Sequence, residues 1–339
     1  MSFEFISSSD WHIGSLVNVF NDALAKQIVE VQKIYEYAME HGIGYVIVPG
    51  DMTDTTMLKN SEIIALIRLF ALYDNDIVTY YISGNHDYHS SNRSSVDVLQ
   101  HLAKENLLKN LHIITEPTHV IIDNVHVNFV PYPHTERKYK KGNAINFVHM
   151  DTEGATDDNG YSAKVKKEFE YAKSDIVISG HIHKYQVLRN GRWIYCANPY
   201  QKKFDELSPK GFLHCLAEVA DGVLDFEHKF IKSRPEFRLK TVRIKSVKDI
   251  EKLEQSNNVA YKLEPEEGVL LPSDIGTTFN IVDIKNKFVA PEASMTSNHT
   301  NLRTGLKHYL KSCNLTNEQI KSATNLVKEA ILSYSLNSE

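Results

Sequence analysis

At 339 residues, with 42% hydrophobic and 24% charged side chains, the chain can bury a sizeable core and has the ordinary composition of a globular protein. A formal net charge of −5 counts against a protein that grips duplex nucleic acid by itself, because nonspecific affinity comes mainly from Lys and Arg displacing counterions. No apolar run approaches the roughly 18 residues of a membrane span, a first strand opening by Phe3 leaves no room for a signal peptide, and Cys196, Cys215 and Cys313 lack C-x-x-C spacing, so the expectation is a cytoplasmic protein with buried thiols, no membrane association and no zinc ribbon.

The first strand, Phe3-Glu4-Phe5-Ile6, is followed by Asp10-Trp11-His12. A helix is expected from about Asp22 to His41, then the strand Tyr45-Val46-Ile47-Val48 runs into Gly50-Asp51-Met52-Thr53-Asp54. A second helix over Asn60 to Tyr73 precedes a strand at Val78 to Ile82 and the motif Gly84-Asn85-His86-Asp87. After a third helix, Ser95 to Leu108, the pattern is strand-rich to Pro131. Ile145-Asn146-Phe147-Val148 then leads to a lone His149, and Asp175-Ile176-Val177-Ile178 to Gly180-His181-Ile182-His183. Further strands are expected at Gln186 to Leu188, Trp193 to Cys196, Phe212 to Ala217 and Leu224 to Phe230, with Asn190-Gly191 and Asp221-Gly222 as hairpin turns.

Beyond Arg234-Pro235 a short β-α-β pattern restarts, with strands at Lys240 to Ile244, Val259 to Leu263 and near Phe279 to Ile284 and a helix at Val247 to Gln255. A polar stretch from Glu292 to Thr300 reads as a linker before two helices, Asn301 to Ser312 and Thr316 to Tyr334. The second carries an apolar stripe that includes Leu326, Val327, Ala330 and Ile331. The expected organisation is therefore 1–233 as the main domain, 236–291 as a small α+β unit, 292–300 as a linker and 301–339 as a helical segment.

Five times an apolar, β-branched run ends in Asp, Asn or His. These are the hard oxygen and borderline nitrogen donors that suit Mn²⁺, Fe²⁺ or Zn²⁺, and two such ions can clamp both the attacking and the leaving oxygen of a phosphoryl displacement. Each motif alone reads equally as a turn or a polar strand end. Together, at strand ends on one edge of a layered α/β fold, they converge in space although far apart in sequence.

The order D-x-H, GDxxD, GNHD, H, GHxH resembles the calcineurin-like metallophosphoesterases. Within them it is most similar to the SbcD / meiotic-recombination-eleven nucleases: the third motif ends in Asp87, Thr55-Thr56 follow Asp54, and Tyr195-Cys196-Ala197-Asn198-Pro199 with Phe204-Asp205-Glu206 resembles that branch's Y-x-G-S-P…F-x-E segment. The resemblance implies a four-layer sandwich of two mixed β-sheets flanked by helices, with a cap and C-terminal helices. It implies Asp10, His12, Asp51 and His183 around one divalent ion and Asp51, Asn85, His149 and His181 around another, Mn²⁺ first, with Mg²⁺, Fe²⁺ or Zn²⁺ as other occupants. His86 would meet the scissile phosphate and protonate the leaving oxygen, with Asp87 orienting it. Asp54 would stand behind the ligands or cap the helix near Asn60. His149 rests on motif order and its preceding strand alone, for it has no glycine beside it.

His89 and Arg93, and the basic run Arg137, Lys138, Lys140 and Lys141, are candidates for touching DNA, although such a run is more often a solvated loop. By resemblance, the C-terminal stripe would bind an SbcC-like coiled-coil ATPase, and the helices at Asn60 and Ser95 would pair two copies into a homodimer within a heterotetramer. The expected function is a Mn²⁺-dependent exonuclease and endonuclease subunit processing DNA ends in recombination, repair or replication, in a bacterial or phage-infected cytoplasm or at the nucleoid. A small-molecule or cyclic-nucleotide phosphodiesterase is the rival enzyme, for which a cap and a partner helix have no evident use. An inactive scaffold is the rival of another class, for which keeping all the ligands and His86 has no chemical reason.

Overall fold

The computed structural model describes residues 2–88, 94, 96–165, 168–269, 271–272 and 274–285. His89, Arg93, Cys313, the polar stretch 292–300 and the stripe with Leu326, Val327, Ala330 and Ile331 lie outside the described residues. The chain starts by alternation: β1 (Phe3–Ser7), α1 (Ala23–Glu40), β2 (Tyr45–Pro49), α2 (Asn60–Tyr73), β3 (Val78–Ile82), α3 (Val96–Lys104) and β4 (Leu111–Ile114). Helical crossovers return the chain to the same edge, so these four strands pair in parallel. Next come β5 (Thr118–Ile122), β6 (Val125–Val130), β7 (Ala144–His149), β8 (Ile176–Gly180), β9 (Gln186–Leu188) and β10 (Trp193–Tyr195), and then the long hairpin of β11 (Gly211–Ala220) and β12 (Val223–Lys232).

Two six-stranded mixed sheets result, ordered β12-β11-β1-β2-β3-β4 and β5-β6-β7-β8-β10-β9. Tight two-residue turns close the antiparallel pairs: Asp123-Asn124 and Asp221-Gly222 all have positive φ, as a type I′ turn requires. The sheets face each other over Phe3, Phe5, Ile47, Phe129, Phe147 and Cys215, with the Phe5 and Phe147 rings edge to face at 5.5 Å. On the outer face of the first sheet, α1 buries Val31, Ile34, Tyr35 and Ala38 at the spacing of one helical stripe, and Tyr35 stacks on Tyr73 of α2 at 4.8 Å. The outer face of the second sheet is roofed differently. Ala155, Ala163 and Phe169, from the irregular segment between β7 and β8, pack on Val148, Val177 and Trp193.

The remaining elements are β13 (Arg238–Ile244), α4 (Val247–Ile250), β14 (Val259–Pro265), α5 (Ile275–Thr278) and β15 (Ile281–Ile284), whose strands form a parallel three-stranded sheet. The helix expected to reach Gln255 stops at Ile250, because the Tyr261 hydroxyl captures the backbone of Glu254, accepting from its N–H at 2.9 Å and donating to its carbonyl at 3.2 Å. Phe237 packs against Phe20 and Tyr200, and the Gln201 amide bonds both backbone groups of Leu239 at 3.1 and 3.3 Å. This unit is thereby sewn to the segment that follows β10, beside the site.

Candidate metal centre

The C-terminal ends of β1, β2, β3, β7 and β8 share one edge of the sandwich, and all the predicted ligands lie at or just beyond those ends. The backbone there is unusual. Asp10, His12, Asp51 and His181 all adopt positive φ, at 56°, 44°, 52° and 84°, a region that L residues avoid and that persists only where surroundings enforce it. The enforcement is visible: the Asp10 N–H donates to the Gly50 carbonyl at 3.1 Å and the His12 N–H to the Asp51 carbonyl at 3.0 Å, stitching the loop after β1 to the loop after β2. Two glycines permit the close packing. A Cβ on Gly50 would lie 2.1 Å from Nδ1 of His149, and one on Gly84 would lie 2.1 Å from Oδ1 of Asp51.

The structure brings all seven predicted ligands together, and their acceptor atoms face one another. His149 donates from Nδ1 to the Pro49 carbonyl at 2.9 Å, which aims Nε2 at the cluster, 3.0 Å from Oδ1 of Asn85. The same Asn85 oxygen is 2.9 Å from Nδ1 of His181. His183 donates from Nδ1 to Glu206 at 2.7 Å, so its Nε2 faces the cluster as a lone pair, 3.0 Å from Nε2 of His12, whose Nδ1 lies 3.1 Å from Nζ of Lys202. Oδ2 of Asp51 lies between the two groups, 3.7 Å from Nε2 of His12 and 3.3 Å from Nε2 of His149. A buried cluster of carboxylate and amide oxygens and ring nitrogens aimed at one another calls for positive charge at its centre, and a mixed oxygen and imidazole donor set suits a divalent ion. Asp10, His12, Asp51 and His183 would hold one ion, and Asp51, Asn85, His149 and His181 the other.

The electrostatics carry the same demand. Burial works against a charged His149, yet the Asp51 and Asp10 carboxylates outweigh it and raise the ring to about 9, so that without an ion a proton on Nε2 supplies the positive charge that a bound cation would replace. Burial alone would raise Asp51, but His149, His12 and the His86 amide hold it far below the ordinary carboxylate range. His12 goes the other way: burial, helped by His183 and Lys202, lowers it to about 4 against the pull of Asp54 and Asp51, so it stays neutral and free to coordinate.

Other assignments change. Asp87 does not orient His86; its buried carboxylate turns inward to accept from the N–H groups of Met52, Thr53 and Gly84 and the Thr53 hydroxyl, at 2.8 to 3.3 Å. It holds the GDxxD and GNHD loops together. The His86 ring is oriented instead by the carbonyl of Asp54, which accepts from Nδ1 at 2.7 Å. The Asp54 carboxylate stands 3.4 Å from Nδ1 of His12 and 2.6 Å from Nζ of Lys202, while at the start of α2 it is the Glu62 carboxylate that accepts from the Lys59 N–H at 2.8 Å, so Asp54 supports the ligands rather than the helix. Arg137 is no DNA contact: it is buried on the Asp175 carboxylate and donates to the Lys140 carbonyl at 3.2 Å, bracing the end of β8. Lys138, Lys140 and Lys141 are exposed but do not line the metal cleft.

Three residues acquire roles that sequence did not give them. Glu206 receives His183 and is held well below the usual range by His183 and Lys210 despite burial. Asp151 lies 3.8 Å from Nε2 of His181, behind its coordinating nitrogen. Lys202 enters the cleft beside Asp54. Only Glu206 had a visible signal, the acidic position in the segment after β10. Its replacement by Ala should weaken Mn²⁺ binding about 10- to 100-fold in a calorimetric titration, the usual effect of removing a carboxylate behind a ligating histidine. An unchanged affinity would show that packing alone orients His183.

A cavity of about 260 Å³ opens over the ligands, lined by Asn85, His86, His183, Lys184, Lys202 and Lys203 among others, with Asp157 and Tyr161 on its rim. Among solved structures, the chain is similar to a nuclease from Pseudomonas putida, MPE, with 15% identity over 65% of this chain and 71% of that one and a TM-score of 0.30. It is also similar to vacuolar protein sorting 29 from Cryptosporidium parvum, with 12% identity over 68% and 99% of the two chains and a TM-score of 0.30. Likeness at this level assigns no activity. No curated protein sequence matches the chain. The model of the calcineurin-like phosphoesterase superfamily domain matches residues 3–199, a span that takes in every ligand named above. With its two facing mixed sheets and its donors gathered at their shared edge, the chain belongs to the calcineurin-like phosphoesterase superfamily.

Proposed function

We propose that the chain is the Mn²⁺-dependent nuclease subunit of an SbcCD-like complex and hydrolyses DNA phosphodiesters near ends. The observation that carries this reading is the wall of the metal cleft: beyond the ligands and His86 stand Lys184 and Lys203, cations that suit the phosphates of a polymer, in a lining that also holds Asp157, Asp158 and the Asp54-bound Lys202. Two divalent ions, when bound, supply Lewis-acid stabilisation of the attacking and leaving oxygens. The protein supplies the rest. Its half-exposed His86 ring, tethered through Nδ1 to the Asp54 carbonyl, presents Nε2 to the cleft and can deliver a proton to the departing oxygen. Asp54 and Lys202 fix the far side of His12 and so the orientation of that ligand.

The partner assignments belong to the same proposal. Ile64 and Leu72 of α2 and Val98 of α3 are exposed at 48%, 59% and 41%, and a dimer through these helices would cover them. An SbcC-like ATPase would take the C-terminal stripe and supply most of the DNA grip that a chain of net charge −5 lacks. Among the described residues no helix is long and apolar enough to cross a membrane. Incubating the pure chain with Mn²⁺ and labelled single- and double-stranded DNA, beside a cyclic nucleotide, tests the reading. Cleavage of DNA is expected; hydrolysis of the cyclic nucleotide alone would transfer the site to the small-molecule phosphodiesterases.

A further inference from the structure

The loop that carries Asn85 and His86 has two sides. One side lines the metal cleft, while Ser83, Asp87 and Tyr88 line a second cavity of about 440 Å³, which Gln100, His101 and His134 also border. At this loop stand two large aromatic side chains that the core does not use. Tyr88 and Tyr132 are 37% and 39% exposed, with rings edge to face at 5.6 Å and 73°. Tyr88 follows the loop directly, its N–H donating to the Gly84 carbonyl at 3.1 Å. Tyr132 comes from the other sheet, just past the end of β6, and is clipped to the same loop: its N–H donates to the Ser83 carbonyl at 2.9 Å, and the Ser83 hydroxyl donates to its carbonyl at 3.2 Å. The backbone that carries both rings is therefore fixed relative to His86 and Asn85 from both sheets.

We infer that Tyr88 and Tyr132 form a stacking site for an unpaired nucleobase flanking the scissile phosphate, which makes a single-stranded or frayed nucleic-acid end the substrate form; this rests on the nuclease reading above. In a nucleic acid, the base next to a cleaved phosphate lies to one side of the backbone, and here the single loop between cleft and cavity separates the two positions. Aromatic faces held rigidly beside a phosphate site accept any base, because every base has a π face. Gln100 and His101, together with the Asp97 and Glu116 carboxylates, the latter 3.2 Å from the His134 ring, supply polar groups for its edge. A duplex cannot use the site without opening, since its bases are already stacked and paired.

The test compares the full chain with the Tyr88→Ala/Tyr132→Ala and Tyr88→Phe/Tyr132→Phe variants, in Mn²⁺, on a short single-stranded oligonucleotide and on the same strand made abasic around the cut. The alanine pair should raise KM on the intact strand about five- to a hundredfold, the range expected for losing one stacked base, and leave cleavage of the abasic strand unchanged. The phenylalanine pair should behave like the parent. Without metal, a 2-aminopurine placed at that base should lose its quenching in the alanine pair and keep it in the phenylalanine pair. Equal KM for parent and alanine pair overturns the stacking site and leaves the nuclease reading standing. An equal loss on intact and abasic strands also overturns it, showing that the rings only brace the loop. If the parent hydrolyses bis(4-nitrophenyl) phosphate but neither oligonucleotide, the nuclease reading fails and the stacking site with it.

Discussion

Replacing His86 by Ala should leave both metal positions able to load while lowering phosphodiester cleavage roughly a hundredfold or more, the usual scale for removing a general acid. The argument is positional. Nδ1 of His86 is committed to the Asp54 carbonyl, and the seven ligands face one another without it. His86, His12 and Asp51 bring one ligand atom each within 4.8 Å of one another, so the His86 ring also stands within reach of the cluster. The contrast with Asp51→Ala separates the two roles. Asp51 is the carboxylate shared between the His12 and the His149 sides, and its loss should remove bound metal and activity together. Metal content by elemental analysis beside turnover decides the matter. A His86→Ala protein that arrives metal-free would make His86 a ligand rather than an acid.

A second large effect is expected at a residue with no functional group at all. Gly50→Ala should abolish metal binding and lower the melting temperature. Its backbone sits at φ +93°, where a side chain costs roughly 1–2 kcal/mol, and the added methyl would overlap the His149 ring at 2.1 Å. His149 would lose its bond to the Pro49 carbonyl and with it the orientation that aims Nε2 at the other donors. Thermal melts with and without Mn²⁺ read both consequences. A variant that melts like the parent and still gains stability from Mn²⁺ would mean that the loop yields and the glycine is dispensable.

The sequence was most legible where one physical rule dominated. Apolar runs ending in Asp, Asn or His pointed to the strand ends and to the donors that the structure gathers there, because strand termini at a shared edge converge whatever lies between them. The stripe of α1 and the bounds of α2 followed from helical periodicity. What escaped was decided by backbone groups and by contacts made across the chain. The partner of His86 is a carbonyl, which no motif encodes, and Asp87, adjacent in sequence, is turned away by a set of backbone N–H groups. The early end of α4 depends on one tyrosine hydroxyl arriving from the next strand. Arg137 looked like part of a solvated basic run because sequence does not show that Asp175, 38 positions on, is buried beneath it.

The two sheets meet through apolar side chains, a non-directional contact that resists separation better than sliding. At one edge the contact changes character, since Asp10, Asp51 and Asn85 come from the first sheet and His149 and His181 from the second. Anything that binds both halves of this donor set acts as a rivet through the sandwich, setting the register of one sheet against the other and adding its binding free energy to the stability of the whole. A chelator therefore does more than silence a reaction. It would loosen the edge over which the cleft opens, and the shear stiffness of the fold would be set by the free concentration of an ion.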